Sequence, residues 1–265
     1  MGNEKRLETA ITAAMQAGRH LMAHYRETLA ATTKESVRDL ATPVDHGAES
    51  KVFSVLCAAE PGAAILSEEQ GMQGADHGDG YWIVDALDGT VNYLHQVPFF
   101  SVSIAYIRGG QPVVGAVYAP LVDDIYYGAE GIGAFKNQRR LQTPDRSPSE
   151  SLFAASFSGK NHDPARRHEE FALFAAVNDA SRGCLRTGSA ALNLAYLAEG
   201  RFNGCWGKSN KAWDISAGLL IARLAGASLL TVAGDANQHL SSYLAAPPLN
   251  HAWLEPQVAK VFSAR

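Results

Sequence analysis

Tyr81-Trp82-Ile83-Val84-Asp85-Ala86-Leu87-Asp88-Gly89-Thr90-Val91-Asn92 is the stretch that decides how this chain is read. Apolar residues lead into Asp85, two spacers follow, and then come Asp88, Gly89 and Thr90. A buried strand over Tyr81–Asp85 puts Asp85 at its exit and lets the Leu87 carbonyl turn toward the same point. Gly89 permits a tight backbone path, and Thr90 or Asn92 can start a short helix. Carboxylates, a carbonyl and unpaired helix-start amides in one place suit a hard cation and a phosphate together. Asp and Gly also dominate ordinary turns, so this segment alone leaves plain turn capping open.

Two more acidic points lie where a strand or loop turns toward a helix: Glu68 in Leu66-Ser67-Glu68-Glu69-Gln70-Gly71, and Asp214 in Lys211-Ala212-Trp213-Asp214-Ile215-Ser216. Taken singly, Glu68 reads as surface and Asp214 as a first-turn cap. Helical spacing is expected over residues 4–29 and again from Asp45 or His46 to Ala59, with Asp45 as cap and Pro61-Gly62 as stop. Ala63–Ser67 reads as a strand and 70–80 as a loop. Phe99–Ile107, Pro112–Ala119 and Ile125–Gly128 read as an antiparallel meander. The polar segment 136–150 is expected to link two halves, 1–140 and 141–265, that share one cleft. Beyond it strands and helices alternate, with helices expected at 166–180, Thr187–Leu197, Trp213–Leu224 and Leu249–Phe262. Meander plus alternation predicts layered α and β with mixed sheets, not one doubly wound parallel sheet.

The 265 residues, 46% hydrophobic and 19% charged, suffice for a sizeable core, and the net charge of -4 without long like-charged runs argues against a nucleic-acid polymer as partner. Cys57, Cys184 and Cys205 are too scattered for a zinc site and are expected in the core. No signal-like start is present, and the most apolar window, Gly218–Leu230, carries Arg223 and is too short for a bilayer. A cytoplasmic protein without a membrane segment is expected.

Four motifs in order carry a resemblance. They are Asp39-Leu40-Ala41-Thr42-Pro43-Val44-Asp45, Ser67-Glu68-Glu69, Asp85-Ala86-Leu87-Asp88-Gly89-Thr90, and Trp213-Asp214-Ile215-Ser216-Ala217-Gly218. Together they make the chain resemble the inositol monophosphatase family, lithium-sensitive Mg²⁺-dependent phosphatases related to fructose-1,6-bisphosphatase. The resemblance implies an αβαβα layered sandwich, a homodimer, and a phosphomonoesterase that uses two or three Mg²⁺. It implies that Glu68, Asp85 and the Leu87 carbonyl hold one metal, that Asp85, Asp88 and Asp214 hold a second, and that Glu68 reaches a weaker third. Thr90, supported by Asp45, would deprotonate the attacking water. The Gly89 and Thr90 amides would bind phosphate, and Asp88 with Gly188-Ser189-Ala190 would face the alcohol. Within the same fold, a 3'(2'),5'-bisphosphate nucleotidase or a histidinol-phosphate phosphatase is an alternative. Outside it, a non-catalytic phosphate-ligand binding protein is.

Two departures stand out. Ala86 replaces the family's proline, which should loosen the Asp85–Leu87 turn. Gly207 stands seven positions before Asp214, where inositol-specific members carry a glutamate that binds ring hydroxyls. The expectation is empty space at Gly207, with Lys208 or Lys211 meeting a second anionic group of the substrate.

Overall fold

Strict alternation along the apolar strands sorts the core into layers. In the strand Tyr81–Asp88, Trp82 and Val84 pack with Leu21, Val52 and Leu56, while Ile83 packs with Leu194, Leu197 and Ile221 on the other face. One sheet therefore has helices on both sides. The computed structural model describes residues 1–27, 32–33, 40–74, 80–157, 164–233 and 240–263.

In chain order the elements are α1 (Asn3–His24), β1 (Thr32–Thr33), β2 (Leu40–Ala41), α2 (Pro43–Ala59), β3 (Ile65–Ser67), β4 (Gly71–Gln73), β5 (Tyr81–Asp88) and α3 (Thr90–Leu94). The meander follows as β6 (Ser101–Arg108), β7 (Gln111–Ala119), β8 (Asp124–Ala129), β9 (Gly133–Lys136) and β10 (Arg139–Arg140). Then come β11 (Leu152–Phe157), α4 (Pro164–Asp179), β12 (Gly183–Leu185), α5 (Ala190–Glu199), β13 (Gly204–Lys211), α6 (Ala212–Leu224), β14 (Ser228–Ala233), β15 (Leu240–Ala246) and α7 (Pro248–Ser263).

The larger sheet runs β10-β9-β8-β7-β6-β5-β3-β4, antiparallel except for the parallel pair β3–β5. The smaller runs β12-β11-β13-β15-β14, parallel across β12-β11-β13 and antiparallel beyond. Helices α1 and α2 cover the outer face of the large sheet, through Leu7, Ala14, Leu21, Val52 and Leu56. Helices α5 and α6 fill the space between the sheets, and α4 and α7 cover the far side through Leu173, Val177, Leu254 and Val258. The order of layers is αβαβα, with mixed sheets, as expected from the sequence.

Several local expectations are corrected. Within the expected link 136–150, Lys136 and Arg139–Arg140 belong to strands of the large sheet, and the connection to the smaller sheet runs over 141–151. Residues 71–73 form an edge strand paired with β3; residues 75–79 of that predicted loop lie outside the described residues, as does Asp39. Cys57 is exposed on α2 while Cys184 and Cys205 are buried. Thr42, not Asp45, caps α2: its side chain accepts from Val44 N–H, and Asp45 returns a bond to Thr42 N–H, a reciprocal box. No helix among the described residues is long and apolar enough to cross a membrane.

Candidate metal centre

The parallel pair β3–β5 puts two acids side by side. Ser67 pairs with Val84, and Glu68 N–H continues the ladder by donating to the Val84 carbonyl at 3.2 Å, so Glu68 comes level with Asp85. From the far side α6 brings Asp214 in its first turn. One carboxylate oxygen from each of Glu68, Asp85 and Asp214 lies within 4.8 Å of the others.

A bulge gives Asp88 its place. Residues three apart on a regular strand face opposite ways. Asp85 pairs with Ser103 and Asp88 with Ser101, three steps on β5 against two on β6. The extra residue resets the alternation, and bulges beside sites re-aim side chains in this way. Ala86 lies inside this unpaired step and is itself buried. Asp88 does not join the cluster of three; its Oδ2 accepts from Ser189 Oγ at 2.5 Å and from Ala191 N–H at 2.8 Å, at the start of α5.

Helix starts orient three of these acids. Asp45 Oδ2 accepts from Thr42 N–H at 2.8 Å in α2, Asp88 Oδ2 is held by α5, and Asp214 Oδ2 accepts from Lys211 N–H at 3.2 Å at the head of α6. Unpaired first-turn amides favour anions. Asp85 is held differently, its Oδ1 accepting from Leu87 N–H at 2.9 Å across the bulge. In each case one oxygen is committed and the carboxylate plane is set.

The charges are crowded. Burial, then Glu68, Asp88 and Asp214, push the Asp85 carboxyl well above the usual range, against the pull of the Leu87 amide. Burial lifts Asp88 to about 6 despite the Ser189 hydroxyl and the α5 amides. Asp214 is pushed well up by burial and then by Asp88 and Glu68, against the pull of the Lys211 amide. Oxygen-only donors gathered closely with mutually unfavourable charge fit a hard divalent cation.

Thr90 opens α3 behind Gly89, whose φ of 100° is left-handed and suits glycine. The Thr90 hydroxyl lies 3.3 Å from Asp45 Oδ1 and 3.1 Å from the Leu87 carbonyl, tying the Asp45 helix to the bulge. The Asn92 amide donates to the Phe99 and Thr187 carbonyls at 2.6 and 2.8 Å, which brings Gly188-Ser189-Ala190 against α3. Thus Asp45, Glu68, Asp85, Leu87, Asp88, Gly89, Thr90, Asp214 and the 188–190 turn come together. Lys208 does not join them. Its Nζ donates to the Val261 carbonyl in α7 at 2.5 Å, which takes Lys208 away from the expected contact with a second substrate anion; Lys211, the other lysine of that expectation, stands at the head of α6 beside Asp214. Gly207 borders no empty space either, since Asn210 and Tyr243 occupy it.

Glu49 was not expected. It is wholly buried on α2, one turn after Asp45, and accepts from Glu69 N–H at 3.0 Å and from the Gln70 amide at 2.7 Å. The i, i+4 spacing of Asp45 and Glu49 was the available signal, since it places both on one helix face. Glu49 thereby anchors the turn that presents Glu68. Glu49→Gln, which keeps the shape but loses one acceptor, is expected to lower Mg²⁺ affinity about tenfold by calorimetry. Unchanged affinity would make Glu49 a core group only.

The family model described as the inositol monophosphatase family matches residues 3–263. An inositol-1-monophosphatase of Mesorhizobium japonicum is 39% identical over 228 residues, 85% of each chain. A fructose-1,6-bisphosphatase/inositol-1-monophosphatase of Aquifex aeolicus is 35% identical over 240 residues, 88% of this chain and 87% of that one. Among solved structures, the extragenic suppressor protein suhB of Bartonella henselae superposes with a TM-score of 0.88 at 32% identity, covering 96% of this chain and 98% of its own.

Proposed function

The chain belongs to the inositol monophosphatase family, a metal-dependent phosphatase of a phosphorylated polyol or sugar, and from that premise we propose which of its residues carry the reaction and how. The observation that carries the proposal is the convergence of Glu68, Asp85 and Asp214 within 4.8 Å, with Asp85 and Asp214 held well above the ordinary carboxylate range.

The donors are all oxygen, which fits Mg²⁺, and two or three ions per site are carried over from the resemblance. Glu68, Asp85 and the Leu87 carbonyl would hold one ion, Asp85, Asp88 and Asp214 would hold a second, and Glu68 would serve a weaker third. Bound cations neutralise the phosphate dianion, acidify water and steady the leaving alkoxide. The remaining work falls to the chain. Thr90 orients the attacking water and accepts its proton, and Asp45, 3.3 Å from the Thr90 hydroxyl, draws that proton onward. The Gly89 and Thr90 amides bind phosphate oxygens, helped by the left-handed turn at Gly89. Asp88, fixed by Ser189, and the 188–190 turn meet the alcohol. A homodimer and lithium sensitivity are carried into this proposal from the resemblance, and a cytoplasmic location from the sequence.

Inositol and related polyol or sugar monophosphates are the substrates proposed. Assay of phosphate release from inositol 1-phosphate, histidinol phosphate, 3'-phosphoadenosine 5'-phosphate and fructose 1,6-bisphosphate tests it. Release that requires Mg²⁺ and stops on chelation is expected. If none of these esters is hydrolysed with any divalent cation, while phosphate still binds, the chain is a binding protein instead.

A further inference from the structure

Asparagine suits a helix interior poorly, because its amide competes for nearby backbone groups, yet Asn92 stands in the middle of the five-residue α3. Its amide bonds outside that helix instead. Nδ2 donates to the Phe99 carbonyl at 2.6 Å and to the Thr187 carbonyl at 2.8 Å, 95 residues away in sequence. Both donors of this half-buried side chain are thus engaged on the backbone of other segments.

The receiving turn is shaped to admit it. Gly188 has a left-handed φ of 95°, and a Cβ there would stand 2.8 Å from Asn92 Nδ2 and 3.1 Å from its Oδ1. Glycine takes this backbone without strain and leaves Asn92 its room. On the other side the Thr187 hydroxyl donates to Asn193 Oδ1 at 2.7 Å, and the wholly buried Asn193 donates to Ser156 Oγ at 3.2 Å. Thr187 is therefore held by its carbonyl to α3 and by its side chain to α5.

The two ends of this tie carry opposite halves of the proposed reaction. Thr90, on the attacking-water side, lies two residues before Asn92; Ser189, on the alcohol side, lies two residues after Thr187. In-line displacement sets the attacking and leaving oxygens on opposite sides of phosphorus, so its rate depends on how these segments are spaced. Asp88 also crosses to the turn, through Ser189 Oγ and Ala191 N–H, but that carboxylate is shared with a proposed metal. Asn92 is neutral and belongs to no proposed ligand set.

We propose that Asn92 is a positioning residue: a strut that fixes the spacing between the Thr90 end of α3, where water attacks, and the 188–190 turn, where the alcohol departs. The inference rests on the phosphatase reading of the adjoining centre.

The test uses the full chain at saturating Mg²⁺ with two esters, inositol 1-phosphate and 4-nitrophenyl phosphate, whose leaving group departs readily and has no further hydroxyl to align. In Asn92→Ala, kcat for inositol 1-phosphate should fall about a hundredfold, the usual cost of a misplacement near 1 Å. The loss on 4-nitrophenyl phosphate should be smaller, so that the ratio of the two kcat values falls at least about tenfold. A general structural role would lower both rates together, and an equal fall on the two esters would overturn the proposal. So would rates within about twofold of wild type on both, less than one hydrogen bond is worth. If the wild type hydrolyses neither ester, the phosphatase reading fails first and this proposal with it. Should Asn92→Ala not fold, Asn92→Gln, which keeps both donors on an arm one carbon longer, decides the matter by the same ratio.

Discussion

Asp85→Asn is expected to lower Mg²⁺-dependent phosphate release by at least about a thousandfold, since cation assistance is worth several kcal/mol and each decade of rate takes 1.36. Asp85 is the carboxylate shared by both proposed metal positions, beside Glu68 and Asp214. The same substitution should stabilise the chelated protein. An ionised Asp85 is opposed by burial and by Glu68, Asp88 and Asp214, and an amide removes that charge. Asparagine also keeps an oxygen to accept from Leu87 N–H, so the bulge survives. Loss of turnover with a higher melting temperature in chelator is the signature of a functional group held at a cost to folding. A variant that loses activity and melts lower would mean that Asp85 serves the fold rather than the metal.

Mg²⁺ itself should raise the melting temperature, and far more at pH 7.5 than at pH 5. Asp88 has a folded-state pKa of about 6 against an ordinary 3.8, and Asp85 and Asp214 are shifted the same way. Well below pH 3.8 these acids are protonated in both states and contribute no penalty. As pH rises from 3.8 toward about 6, the unfolded chain ionises while the folded chain keeps the Asp88 proton, so the metal-free protein loses stability across that window. A cation binding the ionised cluster reverses the loss and must displace fewer protons at higher pH. At about 100 times its Kd, Mg²⁺ should add about 2.7 kcal/mol, roughly 5–10 °C for a chain of this size. Differential scanning calorimetry with Mg²⁺ or chelator at both pH values checks this. Equal shifts at the two pH values would contradict the protonation account.

The helices and the meander were legible because their periods differ. Leu7, Ala14 and Leu21 recur at helical spacing, whereas Val102, Ile104 and Tyr106 alternate on one face of β6. The start of segment 136–150 was not legible as strand because short exposed edge strands such as Arg139–Arg140 have the composition of a loop. The capping of α2 was displaced by one turn, because Asp45 and Thr42 both suit a helix start and only the reciprocal bond tells them apart. Lys208 was read from its charge, and charge alone does not say which face of a bulged strand a side chain occupies.

The residues themselves determined the chemistry. Glu68, Asp85, Asp88, Thr90 and Asp214 lie next to strand exits and helix starts, where local geometry gathers oxygen ligands and unpaired amides. The tertiary structure decided what no local pattern carries: the level pairing of Glu68 with Asp85 across β3 and β5, the attachment of Asp88 to α5, the support from Glu49, and the filling of the space at Gly207. Each depends on a bulge or on a contact between segments distant in sequence. One extra residue in a strand reverses every later side chain, and a sequence does not announce where that residue is absorbed.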